Sequence, residues 1–474
     1  MGAAVATRTP GWREASMKIL VFVDHDIIIR HFLHSHVFDE LVRQHDVVFV
    51  FPEAGHKRVT SDLSLLDLGN AVVRHLPVST GRLKIWQGLM LADMLRWRPG
   101  RHYAAMRRFH RGAVGPRAAA LYSVLALPGL FQIFRAWSHR RIEAMPYRDM
   151  DALLDRERPD VLIHPSVLAG VFMNDLIDAS RSRHVPLLVI MNSWDNPSTK
   201  RAMTGQPDWL LVWGPQTQSH AVKFLQMSPE RVICFGAAQF DLYRNPPRAD
   251  RHEFCRLHGI DPAARILLYA GSSKGTDEYS HLCALDEAID RGELGHTVVV
   301  YRPHPWGDGG KGGNRILDHD WHNVRIEQTM RGYLERVKTW SPGITMPDYR
   351  DTHDLLSAVD ALVSPLSTII IEGALHGKPV LCFLPEEDDK TSHFAFALPL
   401  THFDEFFAEP TFLVARGESS LVPAVRSLLD KVGDEDFGQS LRLACAYFVS
   451  RFDRPYGERL VEFVENAVRQ TDTA

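Results

Sequence analysis

The chain has 474 residues, 45% hydrophobic and 24% charged, which is room for two or three domains with buried sheets. Its formal net charge of −4 argues against a general nucleic-acid binder, because the phosphate backbone is gripped by an excess of Lys and Arg. Five cysteines, at 234, 255, 283, 382 and 445, stand singly without C-x-x-C spacing. They indicate neither a zinc site nor a disulfide framework, and a reducing cytoplasm fits. Residues 1–16 carry Arg8, Pro10, Arg13 and Glu14 and no apolar stretch, which reads as a disordered leader instead of a secretory signal.

The first predicted element is a buried strand over 18–23 (K-I-L-V-F-V), ending in Asp24-His25-Asp26. A helix over 27–43 and a strand over 46–51 follow, which is the opening of a Rossmann-type domain without the G-x-G-x-x-G of a dinucleotide site. Asp24-x-Asp26 resembles the short acidic motif of metal-dependent sugar transferases. Two carboxylates are a weak metal signal, and a structural or acceptor-contacting role is favoured over a metal.

Between 82 and 141 the composition shifts to twelve Arg and Lys against one acid, Asp93. Inside this stretch residues 118–134 (A-A-A-L-Y-S-V-L-A-L-P-G-L-F-Q-I-F) are apolar, broken by Pro128-Gly129 and flanked by Arg117 and Arg135. A membrane span needs about twenty uninterrupted apolar residues. Two readings stay open: a monotopic segment making peripheral contact with an anionic leaflet, or a helical insertion packed on the domain with its arginines solvated.

Strands are expected next at 161–164, 185–191, 208–213 and 232–235. The second of these opens into Asn192-Ser193-Trp194-Asp195-Asn196-Pro197-Ser198-Thr199-Lys200, which is either a cap-rich loop or half of an active site. Residues 244–251 read as a linker. A second α/β domain begins with a strand over 266–270 ending in Gly271-Ser272-Ser273-Lys274-Gly275. Glycine admits close backbone approach, and the hydroxyls and Lys274 can meet phosphate, although the spacing is not that of a Walker loop.

The strand starting at 297 runs out into Arg302-Pro303-His304-Pro305. Period-two alternation sets Arg302 and His304 on one side at the strand's C-terminal end, and the two prolines stiffen that exit. Asp318-His319-Asp320-Trp321-His322 has metal-like composition but lies in a polar connection and reads as a solvated face. Residues 359–383 form a β-turn-α-turn-β unit. Its turn offers backbone N–H groups and the hydroxyls of Ser364, Ser367 and Thr368 at a helix N-terminus, a place that favours phosphate. Glu372, one turn further in, can accept hydrogen bonds from a sugar or ribose. The two anion-friendly stretches together point to one diphosphate or phosphodiester site. Residues 437–468 are predicted helical.

Four segments, 193–196 with 210–214, 236–241, 302–305 and 364–379, resemble GT-B glycosyltransferases of the bacterial surface-carbohydrate group. That group includes the CDP-glycerol glycerophosphotransferases and capsule Kdo transferases. The His-Pro and Ser-rich pair is also similar to motifs of bacterial sialyltransferases that use cytidine-monophosphate donors. The resemblance implies an α/β GT-B fold, two Rossmann-like domains facing a cleft, with a helical basic insertion in the first. Expected bounds are 17–243 for the acceptor domain with its insertion at 82–148, 252–436 for the donor-nucleotide domain, and 437–474 for helices packing back on the first domain.

It further implies a cytoplasmic transferase, placed at the inner face of the plasma membrane if the insertion docks there. Such an enzyme moves a sugar or glycerophosphoryl unit from a nucleotide-sugar donor to a cell-surface glycan or lipid-linked acceptor. No metal and no cofactor beyond that donor are expected, with a CMP- or CDP-type donor favoured over a UDP-type one. Arg302 and His304, with Pro305, would bind donor phosphate, joined by Gly271, Ser272, Ser273 and Lys274. Ser364, Ser367 and Thr368 would take the remaining phosphate oxygens, Glu372 would contact hydroxyls, and His393 would face the cleft. Asp195 is the first candidate for the base that an inverting transfer needs, with Asp24 and His25 in reserve. Two alternatives stand beside it. One is a sugar-nucleotide 2-epimerase or hydrolase, although those epimerases are associated with a Gly-Thr-Arg-Pro-Glu turn where this chain has Asp24-His25-Asp26. The other is a non-catalytic nucleotide-sugar-binding subunit.

Overall fold

The computed structural model describes residues 16–96, 115–166, 168, 170–199, 203–272, 276–304, 313–332, 348–385, 398 and 400–472. Two parallel sheets organise them. The first comprises β1 (Lys18–Phe22), β2 (Asp46–Pro52), β3 (Val72–Leu76), β4 (Val161–Ser166), β5 (Leu187–Met191), β6 (Trp209–Val212) and β7 (Val232–Cys234), in the order β3-β2-β1-β4-β5-β6-β7. The second comprises β8 (Arg265–Ala270), β9 (Thr297–Arg302), β10 (Val324–Ile326), β11 (Ala361–Ser364), β12 (Val380–Leu384) and β13 (Leu413–Arg416), in the order β10-β9-β8-β11-β12-β13. Each order reverses once, at β1/β4 and at β8/β11, as in Rossmann-like domains. The central strands read as unbroken apolar runs because helices cover both faces. Ile19, Leu20, Val21 and Phe22 of β1 and Ile266, Leu267 and Leu268 of β8 are all fully buried.

The helix expected over 27–43 is not one helix. A turn at Asp26–Ile28 passes into a π-helical stretch, Ile29–Leu33, and a separate helix runs over Asp39–Gln44. The wider winding lets Arg30 and His31 reach the cleft between the domains while Ile29 and Phe32 stay in the core. The edge strands β3, β10 and β13 also escape the sequence reading, being short or only half apolar.

One apolar cluster runs from Leu162 and Val189 of the first sheet to Leu268 and Val380 of the second, so the domains share a core at their seam. Trp194 sits in that seam with its ring edge-on to Phe403 and Phe448. The C-terminal stretch breaks into two helices. Glu435–Cys445 packs on Ile369–Leu375 of the second domain, and Tyr456–Asp472 crosses back onto Asp39–Gln44 of the first. The crossing chain lies tight against Gly214 and Gly236, where a Cβ would stand 2.9 Å from the Phe448 carbonyl oxygen and 2.8 Å from that of Ser450.

The insertion is helical in its described parts, Thr80–Arg96, Pro116–Leu125 and Leu130–Glu143, and Trp86, Leu89, Ala92, Phe131 and Ile142 give it a small core of its own. Arg82 bolts it to the domain. Its buried guanidinium donates to Asp175 Oδ1 at 2.8 Å and to the carbonyls of Ile142 and Met145 at 2.9 and 2.6 Å. Trp86 Nε1 donates to the same Asp175 oxygen. Removing one partner of a buried pair strands the other, so Arg82→Met should destabilise the first domain by about 3–5 kcal/mol. That loss is read as a lowered unfolding midpoint, and a change below about 1 kcal/mol would show the pair to be peripheral.

Candidate active site

The carboxyl ends of the two sheets face each other at their reversal points, where open α/β sheets bind ligands. Between them lies a cavity of about 660 Å³. The first domain contributes Arg30, His31, Asn192, Ser193, Trp194, Asp195 and Gln239; the second contributes Gly271, Ser272, Arg302, His304, Tyr349, Ser367, Thr368 and Glu372. Eight of the residues picked from sequence therefore meet in one place: Asp195, Gly271, Ser272, Arg302, His304, Ser367, Thr368 and Glu372.

Arg302 ends β9 and is only 5% exposed, yet its Nη1 has no hydrogen-bond partner among the described residues. The loop after β8 is held from below. Buried Glu278 accepts from the Ser272 N–H at 2.7 Å and from the Tyr301 hydroxyl at 2.6 Å. A Cβ on Gly271 would stand 2.5 Å from Glu278 Oε2, so glycine is what this close approach admits. Ser367 and Thr368 enter the helix Ile369–Leu375, which stops at Gly377, whose φ of +72° suits glycine. Ser364 lies deeper, fully buried at the end of β11, and does not line the cavity.

Glu372 is buried, and its Oε2 accepts from the Tyr243 hydroxyl at 2.5 Å. Burial raises its carboxyl above the usual range, against the opposing pull of the Tyr243 hydrogen bond and of the Arg30 and Arg302 charges. Two guanidinium groups thus surround one carboxylate that is reluctant to ionise.

His31 was not singled out from sequence, nor were Arg30 and Tyr349. His31 Nδ1 lies 3.1 Å from the Asn192 carbonyl oxygen, and its Nε2 lies 2.9 Å from the Tyr349 hydroxyl. A carbonyl can only accept, so Nδ1 carries the hydrogen and Nε2 accepts the hydroxyl proton of Tyr349 across the domain boundary. Burial, reinforced by Arg30, drives the His31 pKa down to about 3, and Arg30 itself stacks 4.3 Å over the Tyr349 ring. The signal for Arg30 and His31 was a polar pair inside the apolar run I-I-I-R-H-F-L. Tyr349 had none, since nothing local distinguishes it from a core tyrosine.

Asp195 lines the cavity, and its Oδ2 accepts from Thr199 Oγ1 at 3.0 Å while its carbonyl accepts the Thr199 N–H at the start of the short helix Asn196–Thr199. The two reserve residues are not brought to the cavity. Asp24 is fully buried, and its Oδ2 accepts the Val171 N–H at 2.5 Å, tying the loop after β1 to the loop after β4. His25 Nδ1 accepts the Ile27 N–H at 3.0 Å and so caps the following turn. Asp26, the other acid of the pair, accepts from the N–H groups and hydroxyls of Thr60 and Ser61. The sequence candidates Ser273, Lys274, Pro305 and His393 lie outside the described residues.

No family model matches this sequence, and no curated protein matches it. Solved structures do. A Listeria monocytogenes protein assigned provisionally as a UDP-N-acetylglucosamine 2-epimerase matches with a TM-score of 0.56 at 12% identity, over 96% of this chain and 98% of that one. The S. aureus MnaA–UDP complex matches with 0.52 at 12% identity, over 96% and 97%. A variant of the wall teichoic acid polymerase TagF matches with 0.50 at 11% identity, over 96% and 90%. At such identities the likeness is one of fold, and it shows the two-domain GT-B architecture.

The folded chain holds His31 near pKa 3, whereas the unfolded chain takes a proton near 6.5. This stability is present above 6.5 and is lost as pH falls towards 3. By about pH 4, His31→Gln should have lost roughly 3 kcal/mol less than the unsubstituted chain over the same descent from neutrality. Equal slopes in chemical denaturation at successive pH values would contradict the buried neutral imidazole.

Proposed function

We propose that the cleft binds a nucleotide-activated donor with its phosphates on the second domain, and that the chain is a transferase. It passes a sugar or glycerophosphoryl unit to a cell-surface polysaccharide or lipid-linked acceptor held against the first domain, in the cytoplasm. The observation that carries this is Arg302, a permanent cation buried at the cavity wall with a nitrogen left unpartnered among the described residues. Its neighbours on the same wall, His304, Ser367 and Thr368, supply further donors. A departing nucleotide phosphate gains negative charge, and preorganised donors can stabilise it without metal or cofactor. TagF is a wall teichoic acid polymerase, and the Listeria monocytogenes protein is assigned provisionally as a UDP-N-acetylglucosamine 2-epimerase. Both transfer and epimerisation are therefore in keeping with this architecture.

Asp195 is the proposed base for the acceptor hydroxyl, with Thr199 orienting its carboxylate. Glu372, neutral-leaning and bonded by Tyr243, is proposed to meet ribose or sugar hydroxyls. A cytidine nucleotide is proposed over a uridine one on the resemblance of segments 302–305 and 364–379.

Arg302→Met keeps the volume of the side chain and removes its donors. It should lower kcat/KM for transfer by about 100- to 1,000-fold while the fold persists. Unchanged kcat/KM would refute the phosphate role. In the same assay, an epimer or free sugar released with no acceptor present would favour the epimerase or hydrolase reading. Nucleotide binding with no turnover for any acceptor would favour a non-catalytic subunit.

A further inference from the structure

Of the eleven large hydrophobic side chains exposed in the described chain, six lie within one helical hairpin: Leu121, Val124, Leu127, Leu130, Ile133 and Trp137. Such clustering is unlike the single scattered apolar residues of an ordinary surface. Leu130, Ile133 and Trp137 follow an i, i+3, i+7 stripe along Leu130–Glu143, and Leu121 and Val124 occupy i, i+3 on Pro116–Leu125. The opposite faces are already used, with Ala119, Phe131 and Ile142 buried against the helix Thr80–Arg96. The outward stripe is therefore a second apolar face.

The charges beside that stripe are of one sign. Arg117, Arg135, Arg140 and Arg141 are exposed, and Glu143 is the one acid between 115 and 144. Trp137 stacks on Phe134, and the Arg141 guanidinium stands 6.0 Å over the indole. An apolar ridge carrying Trp and bordered by Arg matches the boundary between acyl chains and anionic headgroups. Neither helix of this pair is long enough to cross a bilayer by itself. The helices have 10 and 14 residues, at an angle of 105°, and a rise of 1.5 Å per residue leaves each short of a hydrocarbon core about 30 Å thick.

We infer that this hairpin is a monotopic docking surface for an anionic phospholipid bilayer, lying in the plane of the interface with Ile133 and Trp137 inserted. The inference does not depend on the reaction in the cleft. It does bear on it, because Phe131 and Arg135, at the turn end of the second helix, line a small cavity with Met203, Thr204 and Gly205. That segment follows Asn196–Thr199, the helix that comes directly after Asp195. A docked hairpin would hold the first-domain wall of the cleft close to the headgroups.

The test is co-flotation of the full chain with vesicles, either phosphatidylcholine alone or equimolar phosphatidylcholine and phosphatidylglycerol. The chain should partition onto the anionic vesicles, and raised salt should weaken the binding. Ile133→Glu and Trp137→Glu, both at exposed positions, should each reduce partition about tenfold or more, as expected for losing one inserted large apolar group. Leu443→Glu, exposed on another helix, should leave it unchanged. Three outcomes overturn the inference: no flotation of the unsubstituted chain, flotation insensitive to the 133 and 137 substitutions, or self-association abolished by those substitutions with no vesicle binding.

Discussion

A guanidinium that is almost closed off from water sets the terms of this molecule. Burying an ion is unfavourable unless its donors are met, and Arg302 keeps one nitrogen unmet among the described residues. The surrounding charge deepens the demand: Arg30 approaches from the other domain, and the neighbouring carboxyl of Glu372 is held towards its neutral form by burial. Two guanidinium groups, Arg30 and Arg302, therefore stand against the one carboxyl of Glu372 at the floor of the cleft. An anionic group entering there gains what the protein itself leaves unsatisfied.

Such a site works only if the two domains hold their spacing. Hydrogen bonds cross the boundary at the cavity, among them Tyr349 to His31, Tyr243 to Glu372 and Gln216 to the His402 carbonyl. Behind them the aromatic seam around Trp194 and the returning helix Tyr456–Asp472 fix the approach of the domains. Trp194 is next to Asp195 in the chain, so the residue that packs the seam and the candidate base lie on the same loop. Packing and chemistry share the loop after β5.

Much of this was legible in the chain. Buried parallel strands announce themselves as short apolar runs, and the unit around residues 361–384 was readable to within a residue because Gly377 and Pro379 punctuate it. That Arg302, His304, Ser367 and Thr368 line one cavity was legible for the same reason, since they stand directly at strand or helix ends. What could not be read was long-range. Asp24 follows a strand just as Asp195 does, yet it faces a buried amide of the loop after β4, a pairing 147 residues apart that no local pattern reports. Arg30 and His31 were absorbed into an expected helix, because a π-helical winding leaves no periodic mark over five residues. Tyr349 gains its place only when the second domain closes on the first.

The hairpin at 116–143 shows the converse case. Composition alone left a packed insertion and a membrane surface equally open; the structure shows one face of each helix packed and another exposed, and the exposed face is the one the proposed docking would use.

The most direct measurement is a crystal structure of the full chain with a cytidine or uridine diphosphate bound. The account expects phosphate oxygens within hydrogen-bond distance of the Arg302 guanidinium and of the Thr368 or Ser367 hydroxyl, with the ribose towards Glu372. A nucleotide bound elsewhere, or an Arg302 guanidinium fully capped by the protein's own carbonyls and carboxylates, would contradict it.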